Sequence, residues 1–173
     1  MKMRSLVFLL SGVFLGTVAF GGEPGDTWRT MCSVNGSWFA AAEGSPWTAT
    51  FSNTSFADGS LVTEWTGGDG DWYGHCAGSV RFTNGLGTWT QKGPRTLLYT
   101  IITFSLDEFG DVVCTWKLSG RIVLDAGCDS GRQSGSIELF YPDANPFMDE
   151  PFHFFPREGE TEFVRMTVDP CRE

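Results

Sequence analysis

The side chains able to do chemistry in this chain are few and scattered. Five cysteines stand at positions 32, 76, 114, 128 and 171, two histidines at 75 and 153, and Tyr99 is the tyrosine inside the most regular segment. A cysteine attacks or ligates as its thiolate, and nothing next to Cys114 or Cys128 in sequence lowers a thiol pKa. Cys76 follows His75 directly, but adjacency is not the geometry of a Cys-His pair. No C-x-x-C occurs, so no zinc knuckle is expected. G-x-S-x-G, H-E-x-x-H and phosphate-binding glycine loops are missing too, and a Ser-His-Asp triad would have to recruit His75 or His153.

Two stretches concentrate oxygen ligands. "GGDGDWYGHC" places Asp69 and Asp71 before His75, and "MDEPFHFFPREGE" surrounds His153 with Asp149, Glu150, Glu158 and Glu160. Divalent cations take such carboxylates. The first stretch lacks EF-hand spacing, however, and the second reads as a charged surface loop between strands. No metal and no cofactor is expected. A glycosidase pair could lie anywhere among the twenty-one acids, and none stands out.

The compartment decides how the cysteines are read. Lys2 and Arg4 precede the uncharged run "LVFLLSGVFLGTVAF", which leads to Ala19-Phe20-Gly21. This is the layout of a signal peptide spanning residues 1–21, with cleavage after Gly21. The fifteen residues Leu6 to Phe20 fall short of the roughly 20 that a membrane span needs. The mature domain, residues 22–173, is therefore expected to be secreted or extracellular, or periplasmic in a Gram-negative cell. In an oxidising compartment five cysteines make two disulfides and one leftover thiol. If the first and last strands meet in a closed sheet, Cys32 and Cys171 become the preferred pair. Loss of Lys2 and Arg4 takes the formal charge from -9 to -9 - 2 = -11, which disfavours nucleic acid and anionic membrane as partners.

Seven Trp, fifteen Phe and twenty-two Gly suit many short strands and turns, and no amphipathic helix of ordinary length is visible. Candidate strands lie near Val34 to Ala42, Trp47 to Ala57, Leu61 to Thr66, Ala77 to Thr83, Leu86 to Gln91, Arg95 to Leu106, Val112 to Leu124, Ser134 to Tyr141 and Thr161 to Val168. Asp58-Gly59 and Asn84-Gly85 read as tight hairpin turns, since Gly accepts positive φ, and Asp107 to Gly110 closes another. The fold class is all-β: an antiparallel up-and-down β-barrel of about eight or nine strands. With an even loop, Asp107 faces Gly110, Ser105 pairs with Val112, Thr103 with Cys114, Ile101 with Trp116 and Tyr99 with Leu118. Alternation puts these residues on one face. Lys117 and its Thr neighbours make the other face the solvent side, where Ile102 and Phe104 call for cover by a loop or a partner.

An inner face of this kind is either a packed core whose polar tips bond internally or a cavity with apolar walls and a few polar handles. In the second case Trp89, Tyr99, Ile101, Thr103, Trp116 and Leu118 are the candidate ligand-binding residues, and Tyr99 is the one weak catalytic candidate.

"GSW" at Gly36-Ser37-Trp38, opening the first strand, resembles the glycine-x-tryptophan signature of lipocalins and the wider calycin barrels. The resemblance implies that Trp38 plugs the closed end and that Arg165, in "EFVRMTV", packs across it. The stretch from Gly87 to Pro146, with its own "GTW" and a G-P-R-T turn, is similar to largely uncharacterised secreted lipocalin-like proteins. That likeness implies a barrel with a possible ligand and assigns no chemistry.

Three readings follow. The first is a secreted protein that holds a small apolar or amphipathic molecule inside the barrel. The second is a cofactor-free enzyme of the cyclase or isomerase type, with Tyr99 moving protons; the sequence leaves enzyme activity open and points first to binding. The third is a protein-interaction module using the outer face around Ile102 and Phe104.

Overall fold

A computed structural model describes residues 31–41, 46–55, 57–65 and 75–167. The expected leader with its cleavage after Gly21, the acids Asp69 and Asp71, and Cys171 lie outside the described residues. Among the described residues nine strands follow in order: β1 (Gly36–Ala41), β2 (Trp47–Asn53), β3 (Asp58–Trp65), β4 (Arg81–Phe82), β5 (Gly85–Gly93), β6 (Thr96–Leu106), β7 (Val112–Leu124), β8 (Ser130–Phe140) and β9 (His153–Arg165). Eight of them close through β6-β5-β3-β2-β1-β9-β8-β7 and back to β6. Every pairing is antiparallel, so this is an up-and-down barrel consistent with a lipocalin-like fold. The short β4 pairs with β6 beyond the end of β5. Closure pairs strands that would otherwise be edges, and no α-helix occurs among the described residues.

Period-two alternation builds the core. On β2 the inward residues are Trp47, Ala49 and Phe51, and on β6 they are Leu97, Tyr99, Ile101, Thr103 and Ser105, all buried. Large rings fit because glycines face them. Trp89 lies between Gly59 of β3 and Tyr99 of β6, and Tyr99 in turn faces Gly120 of β7. A Cβ on Gly59 would meet Trp89 Nε1 at 2.6 Å, and one on Gly120 would meet the Tyr99 hydroxyl at 2.5 Å. Each ring thus lies flat across the neighbouring strand's backbone, a recognised way to fill a barrel next to a strand glycine.

Several expectations need correction. Cys32 pairs with Cys128, not with Cys171, and the second disulfide joins Cys76 to Cys114. The reason is that residues before β1 run across the barrel end, so that Cys32 reaches the β7–β8 turn. Asn84-Gly85 is not a hairpin: β4 and β5 both lie on the same side of β6, so the dipeptide only interrupts one line of pairing. Asp58 and Gly59 belong to β3, and the reversal occurs just before them, where the Thr54 and Ser55 amides donate to the Asp58 carbonyl. From His153 onward, the stretch read as a charged loop is the first half of β9, while Asp149 and Glu150 precede the strand.

The β6–β7 register also differs, with Ser105 opposite Cys114, Thr103 opposite Trp116 and Ile101 opposite Leu118. Its turn is held by Asp107 Oδ1, which accepts from the amides of Phe109 and Asp111. A bulge skips Val113 and restores the parity, so Tyr99, Ile101, Thr103, Ser105, Cys114, Trp116 and Leu118 point inward as expected, while Val112, expected inside, is exposed and Thr115, expected outside, is buried. The external cover required by Ile102 comes partly from the β8–β9 connection, whose Phe147 lies across a groove from it.

Candidate functional site

The barrel has a sealed base. The Cys32 amide donates to the Pro94 carbonyl in the β5–β6 turn, and the Cys32–Cys128 disulfide ties the same segment to the β7–β8 turn. Gly36 turns the chain upward into β1 with φ +118, a value that favours glycine. Trp38, fully buried, donates its indole N–H to the Val34 carbonyl at 2.8 Å. The Arg165 guanidinium lies 4.5 Å from the Trp38 ring and donates to the carbonyls of Ser33, Asn35 and Cys128, with Asp129 as its ion partner. The two residues singled out for the closed end therefore do meet there.

From that base a run of rings climbs the interior. Trp38 stacks on Phe163 at 4.9 Å, Phe163 tilts against Trp47 at 5.9 Å, and Trp47 stacks on Trp65 at 5.5 Å. Trp65 then meets Phe82 at 6.4 Å, and Phe82 stands edge-on to Trp116 at 5.0 Å. Phe51 branches from Phe163 to Trp89. Such contacts add about 0.5–1.5 kcal/mol each beyond burial. Trp89, Tyr99, Ile101, Thr103, Trp116 and Leu118, the candidates from sequence, all point inward and are at most 5 % exposed.

The polar atoms of this interior divide into two groups. Trp89 and Trp116 donate to Ser52 O and Ser105 Oγ, Thr103 Oγ1 donates to Thr83 O, and Gln133 Nε2 donates to the Tyr99 hydroxyl at 2.6 Å. By contrast Trp47 Nε1, Thr63 Oγ1, Trp65 Nε1 and Gln133 Oε1 are buried without a hydrogen-bond partner. Three of these four come from one place. Trp47 and Trp65 are directly opposed on β2 and β3, and Thr63 precedes Trp65 by two residues on the same face. An unsatisfied buried polar group costs about 1–3 kcal/mol, so β2 and β3 hold three of the four interior groups with unused bonding capacity. The sequence placed all three in strands but did not bring them together.

Two further features lie away from the trio. On the outer face Leu86, Gly87, Thr88, Thr100, Ile102 and Phe147 line a groove of about 300 Å³. Lys117 sits there too, paired with Glu138 at 2.8 Å and 5.8 Å from the rings of Phe140 and Phe147. At the end of the barrel opposite the base, His75 and His153 face each other with ring centroids 5.5 Å apart.

Among the described residues no group of three or more His, Cys, Asp or Glu is arranged to hold a metal, and no helix is long and apolar enough to cross a membrane. No family model matches this chain, and no curated protein or solved structure shows a significant match to it.

Proposed function

We propose that this is a secreted, lipocalin-like binding protein whose barrel, after cleavage behind Gly21, holds a small apolar or amphipathic molecule. One observation carries the reading: Trp47 Nε1, Thr63 Oγ1 and Trp65 Nε1, inward-facing on the adjacent strands β2 and β3, are buried without partners within an aromatic interior. Two indole donors and a hydroxyl favour a ligand with a flat apolar body and an acceptor oxygen. The rings bury the body, and the donors fix its orientation, which is the usual division of labour in small-molecule sites. Tyr99 serves this site as a wall residue whose hydroxyl is held by Gln133.

Native mass spectrometry of the oxidised protein, followed by titration with anilinonaphthalene sulfonate as a flat amphipathic probe, tests the reading. Saturable binding that quenches tryptophan emission is expected, weakened about three- to tenfold by Trp47→Phe, the equivalent of one hydrogen bond. Binding that ignores Trp47→Phe but disappears in Phe147→Ser would overturn it in favour of the outer groove. That second reading, a protein-interaction face, has the groove and the exposed Leu86 and Phe147 behind it.

A further inference from the structure

The two histidines of the chain come from distant segments and meet at one point. His75 lies immediately before Cys76, whose disulfide to Cys114 pins that segment to the start of β7. His153 opens β9 and is held in the ladder opposite Leu139. Their rings are 5.5 Å apart between centroids and inclined by only 25°. Phe155 lies beneath both, 4.5 Å from His75 and 4.0 Å from His153. Both imidazoles are exposed, while Phe155 is half-buried and packs against the core.

We infer that His75 and His153 form a two-nitrogen site for a divalent first-row transition ion, copper or zinc, at the end of the barrel opposite its sealed base. The spacing suits the chemistry. With metal–nitrogen bonds of about 2.0–2.1 Å and a ring centre about 1.1 Å further out, two imidazoles on one ion have centroids about 5 Å apart at a tetrahedral angle and about 5.5 Å apart at 120°. Rotation of exposed rings about their own side-chain bonds brings one nitrogen of each to a common point, with no movement of the backbone. The disulfide and the β8–β9 ladder fix the two backbones in advance, so little ordering is left for the metal to impose. Phe155 packs against both rings from one side and restricts their orientation. Imidazole selects copper and zinc, whereas magnesium and calcium prefer oxygen ligands. The remaining coordination positions stay open to water or to a small donor molecule. This inference is independent of what the barrel interior binds.

The test uses the full mature, oxidised protein without a histidine tag. Calorimetric titration with copper(II), and separately with zinc(II), is expected to give one saturable site of micromolar affinity, weakened at least tenfold by either His75→Asn or His153→Asn. A hundredfold excess of calcium should leave it unchanged. Electron paramagnetic resonance of the copper form provides a readout on the unaltered protein, with coupling to two imidazole nitrogens expected. No saturable binding at millimolar metal, binding unchanged in both variants, competition by calcium, or a spectrum with oxygen ligands alone would each overturn the site.

Discussion

At the base of the barrel, Trp38 has its N–H on the Val34 carbonyl, a guanidinium over its face and Phe163 stacked against it. Further up, Trp47 and Trp65 stack in the same aromatic run, yet both indole N–H groups lack partners. The rings share a chemistry and differ in what surrounds their one polar atom. Around Trp38 the chain supplies backbone carbonyls, because residues 32–35 fold across the barrel end. On the strand wall Trp89 reaches the Ser52 carbonyl and Trp116 the Ser105 hydroxyl, whereas the N–H groups of Trp47 and Trp65 meet no acceptor. The base satisfies the Trp38 N–H from its own backbone; the wall supplies acceptors to Trp89 and Trp116 but leaves the N–H groups of Trp47 and Trp65 to another acceptor.

The two disulfides offer the largest test of this contrast. Replacing both cysteines of the base pair by serine opens a 96-residue separation, against 38 for the pair joining Cys76 to Cys114. Chain entropy puts the losses at about 4.7 and about 3.9 kcal/mol respectively. Urea denaturation under oxidising conditions reads both, and a costlier loss at Cys76–Cys114 would reverse the assignment of the base as the anchored end.

Arg165→Met removes the charge from three carbonyls and from the Trp38 face. A loss of about 2–3 kcal/mol is expected, from hydrogen bonds to a charged donor and the cation–π contact. Circular dichroism melts of the variant check it.

A sharper comparison makes the same substitution at both kinds of site. Trp38→Phe strips a bonded N–H and leaves the Val34 carbonyl without it, for a cost of about 1–2 kcal/mol. Trp47→Phe strips an N–H that bonds to nothing in the protein, so relief of its desolvation cost of about 1–3 kcal/mol offsets the loss of ring area, and the variant should be destabilised less than Trp38→Phe or not at all. Equal effects in paired denaturation curves would erase the distinction. The smallest effect belongs to the outer groove: Phe147, 69 % exposed, should tolerate Ser within about 0.5 kcal/mol, and probe binding inside the barrel should not change.

Much of the fold could be read from the residues. Alternation along β6 and β7 placed Tyr99, Ile101, Thr103, Trp116 and Leu118 inward, and it did so despite an error in register, because a bulge at Val113 restored the parity. The candidate site was less legible. A turn at Asp58-Gly59 would set Trp47 opposite Gly70, whereas the true reversal sets it opposite Trp65. A turn read a few residues late hides the pair on which the site depends, since register shifts every partner along the strand. His153 was taken for a loop residue because its neighbours are acidic and Pro-flanked. Pairing with β8 overrides that local preference.

The sequence by itself determined the class of the protein: cysteines able to pair, strand-length alternation and an interior rich in Trp and Phe. These are local properties, carried by composition and by a period of two. Only the tertiary structure decided which distant groups meet. It paired Cys32 with Cys128, laid Arg165 on Trp38, left three polar atoms of β2 and β3 together without partners and brought His75 against His153. The physical reason is that barrel closure fixes shear and register jointly across all eight strands, and no single strand carries that information.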